Sequence, residues 1–223
     1  METNEITKAW QWLMDRRRQC DIWDMAHEVP RETIEEIIRE CWRRTPSKQN
    51  QMPFDITVWN WDHPDQRNAI YDWAQVWMPE EQDWGRNPQT LAPWLLCFRA
   101  RPTDERMAEA PLMDTKNPLI FSTVEAGMIA AMIAHSAAAR GLDVGFCRCS
   151  NNDPAPDCLP VRKDAHDFLF FMGIGVGTEQ WRNREPAAMV HPGTGEWVAS
   201  ILSETPEYVR RPKPDFDAGV RFV

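Results

Sequence analysis

The sequence predicts a fold of the α/β or α+β class, with helices arranged around one sheet. Segments of helical period alternate with short apolar segments of strand character along the chain. One segment, "STVEAGMIAAMIAHSAAARGL", is apolar nearly all round, so it belongs in a core or against another chain rather than on an open surface. Proline and glycine punctuate the junctions between these segments.

Residues 4 to about 18 have helical spacing, with Ile6, Trp10 and Leu13 on one face. Pro30 opens a second helix, because a proline suits the first helical position, where its missing N–H would have had no partner. Glu32, Glu35 and Glu36 favour the positive end of that helix, and Arg43 and Arg44 its negative end. Ile34, Ile37, Ile38, Cys41 and Trp42 make its buried face. "FDITVWNW" alternates as a strand. "DQRNAIYDWAQVWM" returns to helical spacing through Ile70, Trp73, Val76 and Trp77. "APWLLCFRA" is a second strand, and residues 101 to 120 a variable excursion rich in Pro, Met and charge. In the central helix, residues 122 to 141, Ser122 and Glu125 have the spacing of a capping box, and Gly141 supplies a left-handed stop. "DVGFCRC" and "HDFLFFMGIGVG" are later strands. The tail "RRPKPDFDAGVRFV" is too rich in proline for a helix and can add an edge strand.

Composition narrows the function. The chain has 223 residues, 43% hydrophobic and 26% charged, as expected of a soluble globular protein. No run approaches the ~18 consecutive apolar residues of a membrane span, and "METNEITKAW" lacks the pattern of a secretory signal. A net charge of -9 argues against general nucleic-acid or membrane-surface binding. Six unevenly spaced cysteines fit reduced thiols in a cytoplasm. Twelve tryptophans stand against two tyrosines, which suits core volume or pockets for flat ligands. Positive charge gathers in two knots, Arg16, Arg17 and Arg18 near the start and Arg210, Arg211 and Lys213 near the end, which could close together on one anion.

Several motifs fail on spacing. "GIGVG" lacks the G-x-G-x-x-G register and a following apolar helix. Cys147 and Cys149, with Cys158 downstream, do not have zinc spacing, so no metal site is assigned. His135, alone in an Ala-rich helix, fits a satisfied core or interface residue better than a catalyst. The most unusual segment is the helix-to-strand junction "RRTPSKQNQMPFDITVW". It holds Ser47, Lys48, Gln49, Asn50 and Gln51 between Pro46 and Pro53, a loop suited to a polar, flat ligand.

That loop resembles the flavin-binding loop of the nitroreductase family, roughly P-S-x-x-N-x-Q-P-W/F before a strand, with Pro46, Ser47, Asn50, Pro53 and Phe54 at matching positions. "HEVPRETIEEIIREC" resembles the helix before that loop. "VEAGMIAAMIAHSAAARGLDVGF" resembles the family's central helix and the turn after it, and "FFMGIGVG" its late strand. The resemblance implies a single domain over residues 1–223, of α+β class: a three-layer fold with a central, mostly antiparallel sheet flanked by helices, in an intertwined homodimer. It implies an FMN-dependent oxidoreductase that uses NAD(P)H to reduce a small aromatic, nitro or quinone-type acceptor by ping-pong hydride transfer, with each flavin at the subunit interface. Carried over by position, the FMN-binding residues are Pro46, Ser47, Lys48 and Asn50 in the loop and Gly145 and Phe146 after the central helix. The phosphate falls to Arg16, Arg17, Arg18, Arg210 and Arg211. No catalytic side chain is implied, since the flavin carries the chemistry. The chain departs from the family where Gln19 or Cys20 stands near the family's Ser, Asp21 or Ile22 near its last Arg, and Met52 replaces a Gln. Those departures keep a second expectation open: a non-catalytic or divergent flavin-binding protein, including flavin-consuming or dehalogenating relatives.

Overall fold

The computed structural model describes residues 3–47, 50–78, 83–101 and 118–201. The helices are α1 (Thr3–Arg16), α2 (Arg31–Arg44), α3 (Pro64–Trp73), α4 (Pro118–Ala139) and a short α5 (Glu179–Asn183). The strands are β1 (Phe54–Trp59), β2 (Gln75–Met78), β3 (Asp83–Arg86), β4 (Trp94–Ala100), β5 (Asp143–Cys147), β6 (Phe168–Gly175), β7 (Ala188–Val190) and β8 (Trp197–Ala199).

Four strands make the central sheet in the order β1-β4-β6-β5, and every pairing in it is antiparallel. Successive side chains of a strand point to opposite faces, and β4 uses both. Leu96, Phe98 and Ala100 join one core with Ile34 and Ile37 of α2 and Ile129 and Ile133 of α4. Leu95 and Cys97 join a second core on the other face with Ile70 and Trp73 of α3 and Leu159 of the 151–165 loop. The result is three layers: α2 and α4, the sheet, then α3 with the loop. Burying a branched side chain such as Ile129 or Ile133 contributes about 1.5–3 kcal/mol.

α4 begins one turn before the expected start, so Ser122 and Glu125 lie inside the helix and do not form a capping box. Ser122 Oγ donates to the Pro53 carbonyl at 2.7 Å, and Glu125 Oε2 accepts from Ser47 Oγ at 2.7 Å. The polar pair read as a cap instead holds the loop before β1. The stop was read correctly: Gly141 has φ +80 just past the helix. Residues Leu119–Ala139 also meet the length and composition of a membrane span, contrary to the expectation of none. Ala126, Ile129, Ala130, Ile133, Ala134 and Ala137 of that stretch are nevertheless packed in the first core.

Other corrections follow from packing. The expected apolar face of α1 is not buried, since Ile6 and Trp10 are 49% and 53% exposed. The expected helix through Val76 and Trp77 ends at Trp73. Residues 75–78 pair antiparallel with β3 instead, where β-branched and aromatic residues are favoured. The excursion beyond residue 101 and the tail fall largely outside the described residues.

The segment before α2 threads alongside β5. Gln19 bridges Val144 in parallel, Cys20 N donates to Val144 O at 2.8 Å, and Trp23 bridges Gly177. A Cβ on Gly145 would lie 2.0 Å from the Cys20 carbonyl oxygen, so only glycine permits that approach.

On the far side, Arg67 is fully buried. It donates to the carbonyls of Trp59, Thr90 and Ala92 at 3.3, 2.5 and 2.8 Å, and Trp61 lies 4.6 Å from its guanidinium. Replacing Arg67 with Met leaves these carbonyls without that donor. The Ala92 carbonyl keeps the Trp61 indole N–H as a donor, so at about 1–3 kcal/mol for each of the other two buried carbonyls the expected loss in urea unfolding is roughly 2–6 kcal/mol; a loss below ~1 kcal/mol contradicts this role.

Candidate functional site

Two neighbourhoods on α4 carry the candidate site. The first is the loop from Thr45 to Phe54. Thr45 N and Oγ1 both donate to the Cys41 carbonyl, closing α2. Ser47 Oγ then donates to Glu125 and accepts from the Met52 N–H at 2.8 Å. Asn50 and Met52 have φ +56 and +45, a left-handed backbone that side chains other than glycine adopt only under constraint. The anchors at Ser47–Glu125 and Pro53–Ser122 supply that constraint. Pro46 and Asn50 are exposed and Ser47 is half-buried, so the loop presents an open polar surface.

The second neighbourhood is a groove of about 440 Å³, within the ~300–1,000 Å³ range of small-molecule sites. Gly127, Ala130, Ala131 and Ala134 of α4 give it a small-residue wall, and Phe146 and Phe170 an aromatic one. Arg17 and Arg148 are the cations that line it, and among the described residues neither forms an ion pair. His135 also lines it. Its Nδ1 donates to the Ala131 carbonyl at 2.7 Å and its ring stacks on Trp10 at 5.1 Å, the satisfied role expected of it. The position of Phe146 is fixed by Gln19, whose amide donates to the Phe146 carbonyl at 2.5 Å and accepts from its N–H at 3.1 Å.

The residues expected at the site are thus divided. Arg17 and Phe146 line the groove; Pro46, Ser47 and Asn50 do not. Arg16 points away, donating to the Gly141 carbonyl at 2.9 Å and lying 3.7 Å from Asp143. Asp143, nearly fully buried, also pairs with Arg182 at 2.8 Å and accepts from the Gly177 N–H. Arg18 donates to the Arg182 carbonyl at 3.2 Å. The bare side of Gly145 is filled by the Cys20 carbonyl rather than facing the groove. Asp21 is buried and accepts from Ser200 Oγ at 2.8 Å. Lys48, Arg210 and Arg211 lie outside the described residues.

Sequence reasoning passed over Arg148 and Phe170. Arg148 sits between two cysteines, a motif weighed only for metal. Its signal was a cation directly after a buried strand. Among the described residues no cluster of three or more His, Cys, Asp or Glu could hold a metal ion.

No family model matches the chain, and no curated protein matches it. Solved structures share its fold. A nitroreductase family protein from Clostridium novyi NT is 14% identical over 81% of this chain and 87% of that one, with a TM-score of 0.54. A nitroreductase family protein from Streptococcus pneumoniae TIGR4 is 12% identical over 76% and 91%, with a TM-score of 0.57. An NADPH:FMN oxidoreductase from Vibrio harveyi, solved with NAD+, is 15% identical over 82% and 73%, with a TM-score of 0.58. The fold is therefore nitroreductase-like, as the resemblance implied.

The loop geometry depends on Ser47, whose hydroxyl serves both Glu125 and the Met52 N–H. Ser47→Ala removes both bonds, with an expected cost of about 1–3 kcal/mol and faster amide exchange at Met52. Unchanged exchange there contradicts the assignment of Ser47 as the anchor.

Proposed function

We propose that this chain is an FMN-dependent oxidoreductase, working as a homodimer, in which the groove beside α4 of one protomer and the loop of its partner together hold the flavin. The observation that carries this reading is the groove itself. Two cations without ion-pair partners among the described residues line it together with apolar and aromatic side chains, in a nitroreductase-like fold. That donor set fits FMN, an aromatic ring system bearing a dianion. Arg17 and Arg148 offer forked donors to the anion. Phe146, Phe170 and the alanine wall exclude water from the ring. Ser47 and the positive-φ backbone at Asn50 present polar groups from the loop. Bound in such a site, FMN would supply the two-electron chemistry that links NAD(P)H to a small aromatic, nitro or quinone-type acceptor.

Two apolar stripes support the dimer. Ile6, Trp10 and Met14 stand one turn apart on α1, and Ile120, Val124 and Met128 one turn apart on α4. All six are exposed, and α1 packs against α4, so the stripes adjoin. An apolar surface of this kind marks an interaction site, and a second copy would cover it. All six cysteines are free thiols, which fits a reducing cytoplasm.

A second reading, a flavin binder without turnover, is favoured by the engagement of Arg16 and Arg18 in protein contacts and by the buried carboxylate of Asp21. The two readings part on one measurement. The purified protein should carry FMN, identified by absorption and mass, and its colour should bleach on anaerobic NADH or NADPH. Colour without bleaching selects the binder, and absence of flavin affinity sinks both. Loss of one charge-assisted bond costs about 1.5–3 kcal/mol, so Arg17→Ala should weaken FMN roughly 10- to 100-fold and riboflavin, which lacks the phosphate, much less. Equal losses contradict a phosphate role for Arg17.

A further inference from the structure

Cys147, at the end of β5, and Cys149, two residues on, lie against one buried amide. Asn87 Nδ2 donates to Cys147 Sγ at 2.8 Å and to Cys149 Sγ at 3.1 Å. The Cys149 N–H donates to Cys147 Sγ at 2.9 Å. Asn87 is itself held rigidly. Its N–H donates to the Ala74 carbonyl at 2.8 Å, and its Oδ1 accepts from the Gln89 N–H at 2.9 Å at the start of the 3₁₀ turn Pro88–Leu91. An amide N–H₂ aimed at two sulfurs stabilises negative charge on either. The two thiols differ in surroundings: Cys147 is buried and lines the groove, whereas Cys149 is partly exposed. The hydrogen bond from Cys147 brings the Cys149 thiol down to about 7, with Asn87 adding to it against burial, while burial holds Cys147 well above the usual thiol range. This is the arrangement of an attacking thiolate beside a protonated resolving thiol.

We propose that Cys147 and Cys149 form a redox-active dithiol that reduces hydroperoxides, closing to a disulfide at the edge of the groove. The Cys149 thiolate attacks a peroxide oxygen. The S–O bond forms, the O–O bond breaks, and the departing oxygen takes a proton to leave as water or an alcohol. Cys147 sulfur then attacks the sulfenic sulfur. The S–S bond forms, the S–O bond breaks, and the hydroxyl leaves as water with the Cys147 proton. The two thiols lose two electrons and the peroxide gains two. A small uncharged oxidant suits a half-buried sulfur. The reaction needs no bound flavin, so it stands apart from the function proposed above.

The test uses the full reduced chain and hydrogen peroxide near one equivalent. Trypsin cleaves after Arg148 and separates the two cysteines unless a disulfide joins them. The expected product is a linked pair of peptides, 2 mass units lighter than their sum and abolished by dithiothreitol, with fragmentation placing the bridge at Cys149 rather than at Cys158, which shares its tryptic peptide; a bridge at Cys158 contradicts the proposal. In Cys147→Ser, dimedone should trap a sulfenic acid on residue 149. Cys149→Ser should slow peroxide consumption at least ~10-fold relative to the unsubstituted chain. Cys97→Ser, which alters a buried thiol of the other core, should leave the rate unchanged and serves as a folding-sensitive control. Oxidation spread evenly over the six cysteines, or Cys149 driven to sulfinic acid with no linked peptide from the unsubstituted chain, overturns the proposal.

Discussion

The structure depends on the burial of α4. A helix with small and branched residues on most of its faces cannot stand beside water, and the fold answers this on one side only. The sheet takes Ala126, Ile129, Ile133 and Ala137 into the first core, and α2 packs over the same layer. The opposite side keeps Ile120, Val124 and Met128 in the open. All four strands of the sheet, in the order β1-β4-β6-β5, send residues to this core.

α4 is also where the site's two halves are organised. Near its start, Ser122 and Glu125 hold a strained loop whose polar surface is open. Further along, small residues leave room for a groove that an arginine from each of two distant segments overlooks. Small side chains thus serve two ends, close packing on the sheet and space beside it. A chain of acidic balance gathers cations here while engaging others structurally. Arg16 secures Asp143 at the start of β5, and Arg17, the next residue, stays at the groove.

Much of this was legible in the sequence, and what was missed has physical causes. The bounds of α2 could be read from Pro30, Arg43 and Arg44, because charge and proline act locally at helix ends. Gly141 announced its turn, since a left-handed stop is a local requirement. Ser122 and Glu125 had cap spacing, yet their partners are Pro53 and Ser47, far along the chain, and sequence spacing is blind to such partners. The periodicity of residues 65–78 carried the helix too far, because Val76 and Trp77 also suit a strand and pairing with residues 83–86 decided between them. Of the residues named for the site, Arg17 and Phe146 line one groove. Arg16, Arg17 and Arg18, indistinguishable in the run, are separated because α1 ends at Arg16 and the chain leaves the helix there. Arg148 lay in a Cys-x-Cys segment weighed only for metal and Phe170 in a strand read only as buried, and the fold brings both to the groove.

The central claim is that one flavin site draws on two chains, Arg17 from one protomer and the Asn50 loop from the other. The most direct test is co-expression of an Arg17→Ala chain with an Asn50→Ala chain, each depleted of flavin when expressed alone. If the site is shared, each mixed dimer has one site with both residues intact, and random pairing restores about a quarter of the unsubstituted flavin content. No recovery beyond either single variant, with mixed dimers verified by differential tags, contradicts the shared site.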